Sequence, residues 1–156
     1  MKFSSTLDIR ARRERVVELF RNPDNLSKWQ DGFQGVTHVS GVAGETGAPK
    51  KMFYANGGRE MELLETITLN RLPDEFSALY QHIHMENTMT SRFSEIDGGS
   101  GTRFECEVEH TKFNGLMPRL IAWLFPGMFR KQAQKWFDQF KAYAERCETD
   151  AGRSEP

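Results

Sequence analysis

A stripe of apolar residues near the C-terminus constrains the fold more than any other feature of this chain. Phe129, Ala133, Trp136, Phe140 and Tyr143 recur at alternating steps of four and three, the spacing that aligns side chains on one face of an α-helix. Arg130, Lys131, Gln134, Lys135, Asp138, Gln139, Lys141 and Glu145 fall on the opposite face. Such a helix needs a broad apolar surface to lie on. The amphipathic segment runs from Leu116 to Arg146, interrupted at Phe125-Pro126-Gly127-Met128, where proline removes a helical hydrogen bond and forces a break. Leu116 to Phe125 therefore forms a separate short helix. It is expected to act as a lid hinged at Pro126-Gly127, with Trp123, Leu124 and Phe125 free to touch a membrane or a hydrophobic donor transiently.

The preceding hundred residues supply the surface. Phe3 to Ile9 alternates loosely as a first strand, and Val16, Val17 and Phe20 form the apolar face of a short helix. Asn22-Pro23-Asp24 starts a second short helix ending near Trp29, because Asn can cap it and Pro suits its first position. Gln34 to Ser40, Lys50 to Asn56, Arg59 to Leu69, Glu75 to His82, Met85 to Ile96 and Thr102 to Thr111 follow as strands, separated by turns such as Gly57-Gly58, Pro73-Asp74 and Asp97-Gly98-Gly99. The last strand has the clearest period of two. Phe104, Cys106, Val108 and His110 share one face; Arg103, Glu105, Glu107 and Glu109 share the other. One face is buried and one is wet. The class is α+β: a seven-stranded antiparallel sheet curved around the long C-terminal helix, with two short helices after the first strand. Residues 1–147 make a single domain, and the small polar residues 148–156 read as a disordered tail.

Composition narrows the partners. A chain of 156 residues with 38% hydrophobic content is long enough for one core with a cavity. Its net charge of −1 creates no global field to draw in nucleic acid or an anionic membrane, so a polyanion partner is not expected. No apolar run approaches a membrane span, and Met1-Lys2-Phe3-Ser4 lacks the apolar core of a signal peptide, so the expected location is the cytoplasm. Cys106 and Cys147 form no metal or redox motif. Arg10, Arg12, Arg13 and Arg15, interrupted by Glu14 and Glu18, read as a solvated face.

Three local features resemble a known family. Arg15-Val16-Val17-Glu18-Leu19-Phe20 followed by Asn22-Pro23-Asp24-Asn25-Leu26-Ser27-Lys28-Trp29 is similar to the N-terminal stretch of the START-like superfamily, also called SRPBCC. Gly41, Gly44 and Gly47 sit where its members often carry a glycine-rich turn, and Gly101-Thr102-Arg103 opens the last strand. The resemblance is nearest to the polyketide cyclase/dehydrase and lipid-transport branch and spans roughly Phe3 to Arg146. It implies the helix-grip fold and a hydrophobic cavity between sheet and long helix. That fold also hosts hormone receptors, oxygenase subunits and aromatase/cyclases, so function does not follow from it.

The residues themselves are compatible with a cavity. Twelve Phe, three Trp and seven Met provide much aromatic and thioether bulk, and methionines either line an adaptable pocket or fill gaps in a core. Candidate lining residues are Met61, Leu63, Glu65, Tyr80, Met89, Phe93, Phe104, Cys106, Leu120, Leu124, Phe129 and Trp136. Glu65 stands in the alternation Met61, Leu63, Glu65, Ile67, Leu69. Facing inward it needs a cationic, hydroxyl or water partner, or must be held neutral; a one-residue shift at Leu63-Leu64 turns it to solvent instead. His82 and His84 have the spacing of a metal pair but lack an evident third ligand, and read as surface or turn histidines. No nucleophile, phosphate-loop, dinucleotide or zinc-protease motif appears, so no catalytic residue, metal or cofactor is assigned. The leading expectation is binding or carriage of a lipid, isoprenoid or aromatic polyketide. An acid-base cyclase/dehydrase using Glu65 and Tyr80 is the alternative, and a filled interaction module a third; oligomeric state stays open.

Overall fold

The computed structural model describes residues 1–153. In chain order the elements are β1 (Lys2–Ile9), α1 (Arg13–Arg21), a 3-10 helix (Pro23–Lys28), β2 (Phe33–His38), β3 (Pro49–Asn56), β4 (Arg59–Arg71), β5 (Glu75–His82), β6 (Met85–Ile96), a short 3-10 turn (Asp97–Gly99), β7 (Gly101–Phe113), α2 (Leu116–Leu124) and α3 (Pro126–Arg153). The seven strands form one antiparallel sheet in the order β1-β7-β6-β5-β4-β3-β2. The expected α+β helix-grip architecture is what the chain adopts.

Local chemistry accounts for the connections. Asn22 accepts a hydrogen bond from the Asp24 amide at 3.0 Å, capping the Pro23–Lys28 segment as expected. That segment is nevertheless a 3-10 helix, closed by the Trp29 amide donating to the Leu26 carbonyl at 3.2 Å. Register shifts at Phe33/Gly35, Ile67/Leu69 and Glu86/Asn87 add the extra residues that bend a sheet. Pro126 opens α3, a first-turn position where its missing N–H costs nothing.

The core lies between the concave face of the sheet and the C-terminal half of α3. Phe140 packs on Phe20, Trp29 and Phe104 with ring centroids 5.8, 5.0 and 6.0 Å apart. Phe104 in turn meets Phe93 at 5.2 Å and Phe137 at 5.6 Å. The buried residues of α3 are Phe137, Phe140 and Ala144, a line displaced from the expected stripe, of which Ala133 is only half-buried. Trp136 and Tyr143 flank it, half-buried.

The arginines after β1 begin an exposed face, as expected, on which Arg10 reaches Glu145 at 3.3 Å, Arg12 reaches Glu148 at 3.0 Å, and Arg13 reaches Asp74 at 3.0 Å. Arg10 and Arg12 tie the start of α1 to the end of α3, and Arg13 ties it to the turn before β5. One boundary is corrected. Helix α3 accordingly continues to Arg153 through residues expected in the tail; 154–156 lie outside the described residues.

Exposed pairs of this kind contribute little individually, whereas the aromatic core contributes much. Phe104→Ala is expected to lower unfolding stability by about 3–5 kcal/mol, and Arg12→Ala by less than about 1 kcal/mol. Urea denaturation of the two variants against the parent measures the contrast.

Candidate functional site

Toward the N-terminal end of α3 the concave face changes character. Register aligns one residue from each of five adjacent strands into a transverse row: Lys50 opposite Glu65, Glu65 opposite Tyr80, Tyr80 opposite Asn87, and Asn87 opposite His110. Every member carries a polar group. On one side of the row stand Met52, Leu63 and Met61; on the other, Ile67, Ala78, Met89 and Val108. A polar band thus crosses an otherwise apolar surface.

Glu65 is its centre, 4% exposed. The inward register is therefore the one realised; the shift occurs beyond it, at Ile67/Leu69. Lys50 Nζ lies 2.9 Å from Glu65 Oε1, close enough for an ion pair although off the line of a hydrogen bond. Burial, then the charge of Glu65 and its hydrogen-bonding interaction, hold the ionisation of Tyr80 well above the ordinary phenol value. Tyr80 therefore stays protonated as a donor. Tyr54 is shifted the same way by burial and Glu65; its hydroxyl donates to Gln30 Oε1 at 2.6 Å and its ring stacks on Trp136 at 5.6 Å.

His110 closes the opposite end of the row. Its ring sits among Phe3, Phe113 and Phe129 at 6.1, 5.7 and 5.0 Å, and the Met1 ammonium donates to its carbonyl at 3.0 Å. Burial and that ammonium lower its pKa. His110 Nδ1 and Trp136 Nε1 are buried without a hydrogen-bond partner among the described residues. Buried polar atoms are normally satisfied, so this half of the interior offers a donor and a ring nitrogen that a ligand's polar atom can engage.

The expected lining residues divide into three groups. Met61, Leu63, Glu65, Tyr80, Met89, Phe129 and Trp136 border the row. Phe93 and Phe104 belong instead to the aromatic core, with Cys106 beside it, its thiol pushed up to about 12 by burial. Leu120 and Leu124 do not line the interior: they are 45% and 51% exposed, because Pro118 and Ala122 form the half-buried side of α2. Lys50 was not expected at the site. Its parity with Met52 and Tyr54 was the available signal.

Other candidates are accounted for differently. His82 and His84 face each other at 5.2 Å, and among the described residues no group of three or more His, Cys, Asp or Glu could hold a metal ion. The main surface depressions do not coincide with the row. A groove of about 460 Å³ runs along Lys131, Gln134, Lys135 and Asp138 on the outer side of α3, and one of about 320 Å³ lies at Met61, Leu64, His82 and Ile83 at the strand ends. What distinguishes the row is a buried ion pair beside a buried phenol.

Removing one partner of the Glu65 pair should be costly. Lys50→Met is expected to destabilise by about 3 kcal/mol, and the double variant Lys50→Met/Glu65→Leu to recover most of that loss, as a thermal-denaturation cycle will show. A second expectation concerns pH. Above the ordinary histidine value of 6.5, His110 is neutral whether folded or unfolded. Below it, the unfolded chain takes up a proton that the folded one resists, so stability falls as pH drops, until the lowered folded value is passed. His82, lowered by burial and by His84, adds a slope of the same sign. Denaturation of the parent and His110→Phe between neutral and mildly acidic pH should show a shallower loss in the variant.

No family profile and no curated protein matches the sequence, but solved structures match its shape. The Zhui aromatase/cyclase from Streptomyces sp. R1128 superposes with a TM-score of 0.76 at 9% identity, covering 94% of this chain and 94% of that one. A START superfamily protein from Mycobacterium smegmatis gives 0.68 at 11% identity, covering 96% and 98%. Ara h 8.0201 gives 0.68 at 13% identity, covering 92% and 97%. At these identities the likeness is one of architecture: the chain has the START-like helix-grip fold.

Proposed function

We propose that this protein binds a small, mainly hydrophobic molecule carrying one polar end, held between the concave face of the sheet and the N-terminal half of α3. The observation that carries the reading is the buried row itself. Glu65, paired with Lys50 and set against Tyr80, stands among methionine, leucine and aromatic side chains. A sheet that needed only to support a helix would be served by an apolar residue there. Tyr80, Trp136 and His110 offer hydrogen bonds to a polar end, while Met61, Leu63 and Met89 accept an apolar body and can readjust around it. The general likeness to a START superfamily protein supports a lipid, isoprenoid or polyketide as cargo.

A second reading rests on the same pair. A carboxylate beside a phenol kept protonated is an arrangement for moving a proton to or from a bound carbonyl, and the Zhui aromatase/cyclase shares the fold. In that case the protein is a cyclase/dehydrase-type enzyme acting on the ligand it holds.

Native mass spectrometry of gently purified protein, beside an organic extract of the same sample, tests the binding reading. A recurrent hydrophobic species whose occupancy falls in Trp136→Ala is the expected result; a clean protein mass that stays clean after incubation with fatty acids, isoprenoids and aromatic polyketides overturns it. Glu65→Gln then separates the readings. A carrier loses affinity, whereas an enzyme keeps the ligand and loses turnover.

A further inference from the structure

The short helix α2 faces the wrong way for a helix whose job is to cover the core. Trp123, Leu116, Leu120, Leu124, Met117 and Ile121 fall on one continuous arc of its surface. That arc is exposed, with Leu116 at 84% and Trp123 at 77%; the half-buried side is made by the small Pro118 and Ala122. Phe125 and Met128 extend the patch into α3. Ile83 borders its start, in a turn held there by Asn114, whose amide donates to the His84 carbonyl at 2.8 Å and whose side chain donates to the Ile83 carbonyl at 3.2 Å.

Charge specifies what fits this patch. Between Glu109 and Asp138 the sequence contains no carboxylate, but it contains Lys112, Arg119, Arg130, Lys131 and Lys135. Lys112 is neutralised by Glu86 and Lys135 by Asp31. Arg119 uses Nε on the Phe113 carbonyl, and Arg130 and Lys131 are exposed with no ion pair among the described residues. In a chain with near-zero net charge, this is a local excess of exposed cations on and directly after an apolar arc bearing tryptophan. Amphipathic helices that lie in a bilayer interface combine these features. No described helix is long and apolar enough to cross a membrane, so the contact is with a surface.

We propose that α2 and the Phe125–Met128 joint dock on anionic phospholipid, the apolar arc entering the headgroup boundary and Arg119, Arg130 and Lys131 meeting phosphates. The test is co-sedimentation and tryptophan emission with phosphatidylcholine vesicles, with and without phosphatidylglycerol. The expected result is binding to the anionic vesicles at low salt, a blue shift that disappears in Trp123→Phe, and a loss of about tenfold or more in Arg130→Glu/Lys131→Glu. Trp123→Ser/Leu124→Ser should also lose binding; all these residues are exposed, and an unchanged melting temperature verifies that the fold is intact. Absence of vesicle binding, or equal binding to both vesicle types that ignores the charge variant, overturns the proposal. So does a concentration-dependent dimer in light scattering that Trp123→Ser/Leu124→Ser abolishes, which assigns the patch to a second copy. The vesicles carry no added cargo, so these outcomes are independent of ligand occupancy by mass spectrometry.

Discussion

The seating of Phe140 between Phe20, Trp29 and Phe104 joins four separate parts of the chain: α3, α1, the segment after the 3-10 helix and strand β7. Edge-on aromatic contacts add about 0.5–1.5 kcal/mol each beyond burial, and their convergence on one ring makes this the point from which the helix is held. Around Phe140 and Ala144 the helix α3 is close-packed, and Arg10 and Arg12 tie it through Glu145 and Glu148. Toward its N-terminal end the packing gives way, first to the polar row and then to an exposed apolar helix. The molecule thus runs from a rigid grip to a surface equipped for contact along a single helix.

The polar row shows the opposite economy. Burying a carboxylate costs several kcal/mol before pairing, and Lys50 with Tyr80 offsets that cost only in part, leaving Trp136 Nε1 and His110 Nδ1 without partners. Apolar residues of similar volume would serve the fold at least as well. Departures from local consistency of this kind concentrate where a protein does something besides fold.

Much of the architecture is readable from the residues because strand and helix leave different periods. Alternation in β7 distinguishes Phe104, Cys106, Val108 and His110 from their charged neighbours, and Pro126-Gly127 marks the break between α2 and α3. From its own strand Glu65 could be inward or, with a one-residue shift, turned to solvent, and only the fold decides between them. Parity puts Lys50 on the face of Met52 and Tyr54, but it meets Glu65 only through the register of β3 on β4, which neither strand's pattern contains. The deepest line of α3 was displaced for a related reason, since Phe137 and Trp136 are adjacent and either can complete a helical stripe. Leu120 and Leu124 were assigned to the interior because α2 is apolar on most sides, and composition does not say which side of such a helix meets the protein.

The pairing of β1 with β7, from Lys2 with Glu109 to Ile9 with Thr102, carries a consequence for biosynthesis. Among the described strands β1 pairs with β7 alone, the strand furthest from it along the chain, and the aromatic anchor Phe140 lies further downstream. Closing so long a loop is entropically slow, so on the ribosome β1 must wait, unpaired, until β7 has emerged. Strand β1 is thus placed only after β7, and the nascent β2–β6 meander stands with an open edge in the meantime.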